Sequence, residues 1–259
     1  MTNLRTLMST ACLMMFASPV LAQPQAGLAP FPTDEYSYHP STGDEPPPVN
    51  LPSDLGRRRG AVLVFRAGTH SGVGAATPDC DGECGTQPEA EGFDEHPSLV
   101  LSSEWLTSLS RNTRFGAGLQ MIPTLSTQMD GERYELGTVV GGDLVFEGLI
   151  DLSPKIAFTL RGSAGLSLLF PSGDLDDDAQ DLADLCSNAL DCQADPGPYL
   201  GAQAAVGAGL LYNLGSVGAR VDFQLQAYSY RVLGVEFGGN EASIRVAGLR
   251  PMVLAGLEL

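Results

Sequence analysis

The sequence predicts an all-β fold, namely an eight-stranded antiparallel up-and-down transmembrane β-barrel preceded by a disordered Pro-rich tail. First, apolar and polar residues alternate over most of residues 60–259, which is the period of a strand and not of a helix. Second, the alternating runs exceed the roughly five or six residues of a typical soluble strand, and a tilted strand crosses a bilayer in about 9 to 11 residues. Third, the connections between the runs are alternately short and long.

The N-terminal 22 residues have the features of a secretory signal peptide. Residues 1–22 contain Arg5, an apolar run and the small-residue ending Val20-Leu21-Ala22. Polar residues and a proline interrupt the run, so it is too short for a membrane anchor of about 20 residues. We expect Cys12 to be removed with the signal peptide and not to be lipidated.

A proline-rich segment separates the signal peptide from the barrel. Residues 23–58 contain eight prolines and no apolar periodicity, which predicts a disordered periplasmic tail. The segment closes with Arg57, Arg58 and Arg59, either as a solvated junction or as a contact with phosphates at the membrane face. The barrel domain is predicted to cover residues 59–259.

Three strands are predicted before the central hairpin, over residues 60–71, 98–108 and 114–125. In the first of them Arg66 and His70 lie on the face opposite to the apolar side chains. A long loop is expected over residues 72–96 and a short turn at residues 110–113, and residues 129–133 link the third strand to the central hairpin. Pro123 is expected near the rim, where a ladder hydrogen bond is dispensable.

The central hairpin, residues 134–170, carries the clearest alternation. Its second strand has apolar residues at alternate positions: Ile156, Phe158, Leu160, Ala164, Leu166, Leu168 and Phe170. Its first strand places Leu136, Val140, Leu144, Phe146 and Ile150 on one face, and Glu135, Asp143 and Glu147 on the other. A two-residue period in both halves predicts two long strands joined by a tight turn.

Three further strands are predicted over residues 198–212, 217–231 and 241–259. In residues 217–231, five apolar residues alternate with Arg220, Asp222 and two glutamines. The last strand is ambiguous, because Ile244 and Val246 indicate one face whereas Val253 and Leu257 indicate the other. A bulge near Pro251 would reconcile the two phases.

The polar faces of the strands are expected to fill the barrel. An eight-stranded barrel is just wide enough for side chains, and an unpaired buried charge costs several kcal/mol. We therefore predict an interior charge network and favour a packed polar plug over a conducting pore. A soluble barrel would require a polar exterior, and residues 217–231 would then crowd polar side chains into a dry core. The predicted network consists of Arg66, Glu104, Glu135, Asp143, Glu147, Arg161, Arg220 and Asp222.

The acidic residues concentrate in two segments. The chain has a formal net charge of -17, which argues against binding to nucleic acid phosphates. Residues 79–95 and 174–195 hold much of this charge and are predicted to be solvated loops. Weak binding of divalent cations by the run Asp174–Asp178 is the alternative, although the run lacks the pattern of an EF-hand.

Four cysteines remain after removal of the signal peptide. An even set in an exported chain favours disulfides, and four cysteines allow three connectivities. The disulfide candidates are Cys80 and Cys84 in the first acidic segment, and Cys186 and Cys192 in the second. A zinc site is the less favoured alternative, because neither pair has the spacing of a zinc knuckle.

No catalytic, cofactor-binding or metal-binding residue is assigned. His70 and Ser71 are the nearest pairing of a base and a nucleophile, but neighbours on a strand point to opposite faces. Nothing in the sequence indicates a nucleotide, a flavin or a haem. We expect that the protein is not an enzyme and binds no cofactor.

Residues 60–259 resemble the small eight-stranded outer-membrane barrels of the OmpA/OmpX type. The resemblance rests on the signal peptide, the strand count and the alternation of connections. It departs from the family at the C-terminus, which is Leu257-Glu258-Leu259 instead of an aromatic residue. The resemblance implies localisation in the outer membrane of a Gram-negative envelope, periplasmic termini, contact with membrane lipid and lipopolysaccharide, and a monomer.

The sequence predicts the location and shape more sharply than the role. The favoured function is that of a non-enzymatic, envelope-structural barrel with long acidic, disulfide-containing external loops. One alternative is a surface adhesion or cation-binding module that uses these loops. Another is a lipid A-modifying enzyme, since some small outer-membrane barrels have that activity.

Overall fold

The computed structural model describes residues 60–81, 90–129, 131–187, 192–237 and 240–259. The predicted signal peptide and Pro-rich tail lie outside these residues and stay predictions. The described residues form one antiparallel sheet and one helix, and no helix among them is long and apolar enough to span a membrane. The elements are β1 Ala61–Asp81, β2 Glu91–Ser108, β3 Thr113–Met129, β4 Glu132–Asp151, β5 Ile156–Pro171, α1 Asp174–Ser187, β6 Cys192–Ala194, β7 Tyr199–Asn213, β8 Gly218–Phe237 and β9 Asn240–Glu258.

Eight of the nine strands close into a ring. Each long strand pairs with its neighbours in chain order, and β9 pairs with both β8 and β1. The first and last strands also exchange hydrogen bonds between the backbones of Leu63 and Leu259, at 2.8 and 3.2 Å. Strand β6 lies outside the ring and pairs with the last residues of β8. The predicted up-and-down barrel of eight strands is therefore confirmed.

The two ends of the barrel differ. Short turns at residues 109–112, 152–155 and 214–217 share one end with the start of β1 and the end of β9. We call this the turn end. The opposite, distal end carries the connections from β1 to β2 and from β5 to β7, the second of which contains α1 and β6. The distal end also carries two connections of two residues, from β3 to β4 and from β8 to β9, so the predicted alternation of short and long connections holds for only two of the four distal connections. All three connections at the turn end are short, as are the periplasmic turns of outer-membrane barrels.

Apolar side chains form a belt on the outer surface, nearer the turn end. The sole tryptophan, Trp105, is 60% exposed there, while its neighbours Glu104 and Leu106 point inward and are buried. The belt includes Phe65, Leu101, Leu119, Leu144, Phe146, Leu166, Leu200, Val221, Phe223 and Val253. Such a continuous exposed apolar surface is expected against lipid and not against water.

Three strands extend further into the predicted loops than the sequence indicated. Strand β1 continues from residue 71 to Asp81, because this segment pairs with β9 as far as Glu241. Strand β2 begins at Glu91, and β8 runs on to Phe237. The alternation is weak there because the segment is rich in glycine and acidic residues, but the neighbouring strands supply the hydrogen bonds.

The prediction of a bulge near Pro251 is wrong. Strands β8 and β9 pair in continuous register across Leu225 and Pro251, and their irregularity lies between Val232 and Val235. The two phases have another explanation: Ile244 and Val246 point into the distal barrel, where the interior is apolar, whereas Val253 faces outward in the belt. The apolar side of the strand changes because its surroundings change.

A bulge does occur in β4, and it reverses the predicted face of two residues. Gly137 has a φ of 124°, and the β3–β4 register shifts between Leu125 and Ser126. Leu136 consequently points inward and is buried, although Val140 faces outward. Glycine suits this position because a side chain is strained at such a φ.

The second acidic segment contains a helix and is not a solvated loop as predicted. In α1, acidic residues occupy the first turn, where they interact favourably with the helix dipole. Leu175, Ala179 and Leu182 recur at helical spacing and form an apolar stripe. This stripe packs onto the distal end of the barrel, so the helix is stabilised by burial that no single strand provides.

Candidate functional site: the barrel interior

Buried charges fill the interior near the turn end. Six residues of the predicted network meet there: Arg66, Glu104, Glu147, Arg161, Arg220 and Asp222. Arg114 and Glu258 join them. We call these eight residues the basal network. It places four arginines against four carboxylates, as is needed where water is scarce.

The contacts of the basal network run across the barrel. Arg220 donates from Nη2 to Glu147 Oε2 at 2.6 Å and from Nε to Asp222 Oδ2 at 2.8 Å. Arg66 donates to the same Asp222 oxygen at 3.1 Å and is paired with Glu104, which also contacts Arg161. Each of these carboxylates contacts arginines from two strands, so the network links β1, β2, β4, β5 and β8 across the lumen.

Two of the predicted network residues lie elsewhere. Asp143 points inward but accepts a hydrogen bond from Gln203 Nε2 at 2.8 Å. Glu135 is not part of the interior network, because the bulge at Gly137 reverses its face. Its carboxylate instead accepts a hydrogen bond from Ser172 Oγ at 3.1 Å.

The sequence analysis did not identify Arg114 and Glu258, although signals for both exist. Arg114 donates from two nitrogens to the two oxygens of Glu258, at 2.8 and 2.9 Å. Arg114 shares the parity of Gly116, Gly118 and Gln120, which face the interior. Glu258 was obscured by the ambiguous phase of the last strand.

A second charged layer lies above the basal network. Arg250 is fully buried and donates to both oxygens of Glu95, at 2.7 and 2.8 Å. Its guanidinium also lies over the ring of Tyr228, 4.3 Å from the centroid, a favourable cation–π geometry. A third hydrogen bond, of 3.1 Å, joins it to Gln226. Glu95 was expected in an acidic loop, whereas it faces the interior from β2.

The same layer brings together a serine, a histidine and a glutamate. His70 Nε2 lies 2.6 Å from Ser98 Oγ, and His70 Nδ1 lies 3.3 Å from Glu95 Oε2. Ser71 faces outward, as predicted, so it is not the partner of His70. The order of groups resembles a hydrolase triad. However, Arg250 already engages both oxygens of Glu95, and the layer lies inside the barrel beneath the distal core.

The distal interior is apolar, in contrast to the predicted polar plug along the whole barrel. A cluster of buried side chains from the long strands and from α1 fills it. It includes Phe93, Ile122, Leu125, Leu136, Val139, Leu169, Tyr199, Tyr230, Leu233, Ile244 and Val246, with Leu175 and Ala179 of the helix. The upper barrel is therefore closed like a soluble core, with α1 as its cap.

Both halves of α1 are tied to the barrel. At its start, Asp174 Oδ2 accepts from the backbone NH of Glu135, and Asp178 Oδ2 accepts from Tyr134 Oη, both at 2.7 Å. Tyr134 lies above the apolar belt, and burial together with Asp178 raises the pKa of its phenol. At the end of α1, Cys186 forms a disulfide with Cys192 of β6.

The remaining cysteine and cation predictions have different outcomes. The second acidic segment contains a disulfide between the candidates Cys186 and Cys192. Cys80 pairs with Ala242 through its backbone in β1, but its side chain and Cys84 lie outside the described residues. Within the described ranges, no group of three or more His, Cys, Asp or Glu residues is arranged to hold a metal ion.

The comparisons with known proteins found similar folds only. No family model and no curated protein matches the chain. Outer membrane protein OprG from Pseudomonas aeruginosa is similar, with 11% identity, a TM-score of 0.45, and coverage of 79% of this chain and 98% of that one. Outer membrane protein AlkL, solved in lipid bilayers, has 14% identity, a TM-score of 0.46 and coverage of 87% and 97%. Outer membrane protease OmpT from Escherichia coli has 10% identity, a TM-score of 0.42 and coverage of 77% and 96%.

The architecture of the chain itself decides its class. Eight antiparallel strands close into a ring, the outer surface carries an apolar belt, and the charges face inward. A closed barrel satisfies all backbone hydrogen bonds internally, which a membrane-spanning sheet requires. This is the fold expected from the resemblance to barrels of the OmpA/OmpX type, and the chain is an integral outer-membrane β-barrel.

Proposed function

We propose that this protein is a sealed, non-enzymatic barrel with an envelope-structural role. The observation that carries the proposal is the filling of the interior in successive layers. The basal network lies at the turn end, the Glu95–Arg250 pair lies above it, and the apolar core with α1 lies at the distal end. An ion would have to displace paired charges and then cross an apolar region, and both steps are costly.

Conductance in a planar lipid bilayer tests the seal. We expect the wild-type protein to insert without steps of current. A variant that combines Arg66→Ala, Glu104→Ala and Arg161→Ala removes bulk from the basal network alone and should still not conduct, because the Glu95–Arg250 pair and the apolar distal core remain in place. The gel mobility of unheated against heated samples verifies that each variant is folded. Discrete wild-type channels of stable conductance would contradict the proposal.

The structural role has its own test in cells. The belt is the surface that supports contact with membrane lipid and, in the outer leaflet, with lipopolysaccharide. Deletion of the gene should increase sensitivity to detergent and to large antibiotics, and expression of either the wild type or Ser98→Ala should restore resistance. An unchanged envelope after deletion would remove the structural role.

The enzymatic alternative rests on the contact between Ser98 and His70. A fluorophosphonate probe reacts with activated serines, so it should label Ser98 if the triad-like arrangement is catalytic. We expect no labelling beyond that of Ser98→Ala, because the serine lies within the packed interior. Ser71→Ala, on the outer face, is the matched control. Labelling that Ser98→Ala alone abolishes would establish an active serine.

A surface-binding role is the second candidate, favoured by the tethered helix. The disulfide fixes α1 to β6, and Asp177, Asp181 and Asp184 lie on its exposed side. An acidic, immobilised face suits a cationic partner. Conversion of these three residues to asparagine should reduce attachment to a polycationic surface if the face binds. Unchanged attachment would exclude this candidate function. The three substitutions lie on α1, so the barrel strands should be unaffected.

A further inference from the structure

Two arginines face outward side by side near the distal end. Arg231 of β8 and Arg245 of β9 are direct cross-strand partners, and their side chains are 47% and 50% exposed. Both contact one oxygen of Asp79 on β1: Arg245 Nη2 donates to Oδ2 at 2.7 Å, and Arg231 Nη2 lies 3.2 Å from it. Like charges directly opposite each other destabilise a sheet. An anion that contacts both guanidiniums would therefore stabilise this pair of strands.

The two arginines lie at the upper edge of the apolar belt. The outward residues of β8 are apolar from Val221 to Ala227, and Ser229 and Arg231 follow. Val221 and Arg231 are ten residues apart, which is about 33 Å along a strand. At the tilt of about 40° found in such barrels, this length spans about 25 Å, the height of the apolar band of outer-membrane barrels. The guanidiniums therefore lie at the level of the lipid headgroups, at the end opposite to the short turns.

The surface just below the arginines suits the apolar part of a lipid. The next outward row toward the belt consists of the small side chains of Ala75, Ala247 and Ser229. The row after it contains Val73 and Leu249, which are cross-strand partners and are 58% and 48% exposed. A phosphorylated lipid can place its phosphate on the guanidiniums and an acyl chain against this apolar row. A free phosphate would make only the first of these contacts.

This basic pair stands out in an acidic chain. The formal net charge is -17, so the protein as a whole repels anions. In the described part of the chain, the other basic residues lie elsewhere: Arg66, Arg114, Arg161, Arg220 and Arg250 face the interior, Arg111 and Lys155 lie in turns at the turn end, and Arg133 is exposed on β4, across the ring from β8 and β9. Attraction of an anion to the outer surface near the distal end is therefore strongest at Arg231 and Arg245.

We propose that Arg231 and Arg245 bind a phosphate group of lipopolysaccharide in the outer leaflet. Guanidinium groups match phosphate oxygens in bidentate geometry. A basic side chain near an anionic lipid surface also contributes a favourable electrostatic interaction. The proposal rests on the envelope-structural role proposed above and names a lipid contact for it. It does not require that the interior of the barrel is sealed.

Binding of lipid A, the phosphorylated part of lipopolysaccharide, tests the site. The full barrel in dodecyl maltoside would be titrated with bisphosphorylated lipid A, and native mass spectrometry would count the bound lipid. We expect the double variant Arg231→Gln with Arg245→Gln to bind about thirtyfold more weakly, from about fivefold for each arginine near an anionic surface. The wild type should bind dephosphorylated lipid A equally weakly. Unchanged binding by the double variant, or equal binding of the two lipids by the wild type, would overturn the proposal.

Two single variants separate the site from general attraction. Arg133→Gln removes an exposed positive charge from the other side of the ring and should leave binding unchanged. Asp79→Asn removes the competing carboxylate and should tighten binding by up to about fivefold. Equal losses in Arg133→Gln and Arg245→Gln would refute a specific site, and displacement of lipid A by inorganic phosphate would refute the lipid as the occupant.

The gel mobility of unheated samples verifies that each variant is folded. Channel currents in the wild type, with lipid A binding intact, would contradict only the sealed-barrel function.

Discussion

The strongest prediction from the basal network concerns the stability of the barrel after substitution of Arg220. This side chain is 2% exposed and donates to both Glu147 and Asp222. Replacement by methionine preserves most of the apolar stem but removes the charge and all donors. Two carboxylates then lose their principal partner in an enclosed space.

The size of the effect follows from what remains. Removal of one member of a buried ion pair costs about 3 to 5 kcal/mol, because the other charge stays buried. After Arg220→Met, Glu147 retains Arg114 at 3.2 Å and Asp222 retains Arg66 at 3.1 Å. We therefore expect the lower limit, about 3 kcal/mol, which corresponds to a roughly 100-fold decrease in the folding equilibrium constant.

Urea titration in lipid vesicles measures this loss. The folded fraction is read from the gel mobility of unheated samples. Arg231→Met is the matched control, because Arg231 is 47% exposed and pairs with Asp79 on the surface at 3.2 Å. An exposed pair contributes about 0 to 1 kcal/mol. The double variant Arg220→Met with Glu147→Gln should recover part of the stability, since it removes one of the two affected carboxylates. Equal loss in Arg220→Met and Arg231→Met would refute the reasoning.

Three further predictions concern the belt and the cap. Fluorescence of Trp105, which is the sole tryptophan and is 60% exposed on the belt, should be quenched by brominated lipids in vesicles; emission typical of water would contradict the lipid-facing assignment. Leu175→Ala should destabilise the docking of α1 by about 2 to 5 kcal/mol, measured as faster hydrogen exchange in α1 with the barrel's gel mobility unchanged. Leu185→Ala, 72% exposed on the same helix, should have no such effect. Without reductant, Cys186 and Cys192 should resist alkylation, and equal labelling before and after reduction would refute their disulfide.

The sequence predicted the charge network well where the alternation was regular. Arg66, Glu104 and Arg220 lie in the parts of their strands nearer the turn end, where inward and outward residues alternate regularly, so parity alone placed them in the lumen. The irregularities of these strands lie further towards the distal end. The prediction for Glu135 was wrong, because the bulge at Gly137 shifts the alternation of β4 by one residue. A bulge of one residue leaves almost no trace in composition, and only the pairing with β3 reveals it.

The distal half of the molecule was less accessible to prediction. Ile244 and Val246 follow the alternation of β9, but nothing local indicates that the interior changes from charged to apolar along the barrel. The helix also has an apolar stripe at helical spacing, yet the run of aspartates at its start favoured a loop. Its stability depends on burial against a surface built by distant strands.

The sequence by itself determined that the chain forms long antiparallel strands, eight of them in the barrel, with an apolar outer face and charges of both signs inside. A two-residue period is a property of consecutive residues, so it can be read without knowledge of the partners. Only the tertiary structure decided that Arg220 meets Glu147, that Glu95 meets Arg250 and that α1 caps the distal end. These contacts join residues far apart in the chain, and closure of the ring brings them together.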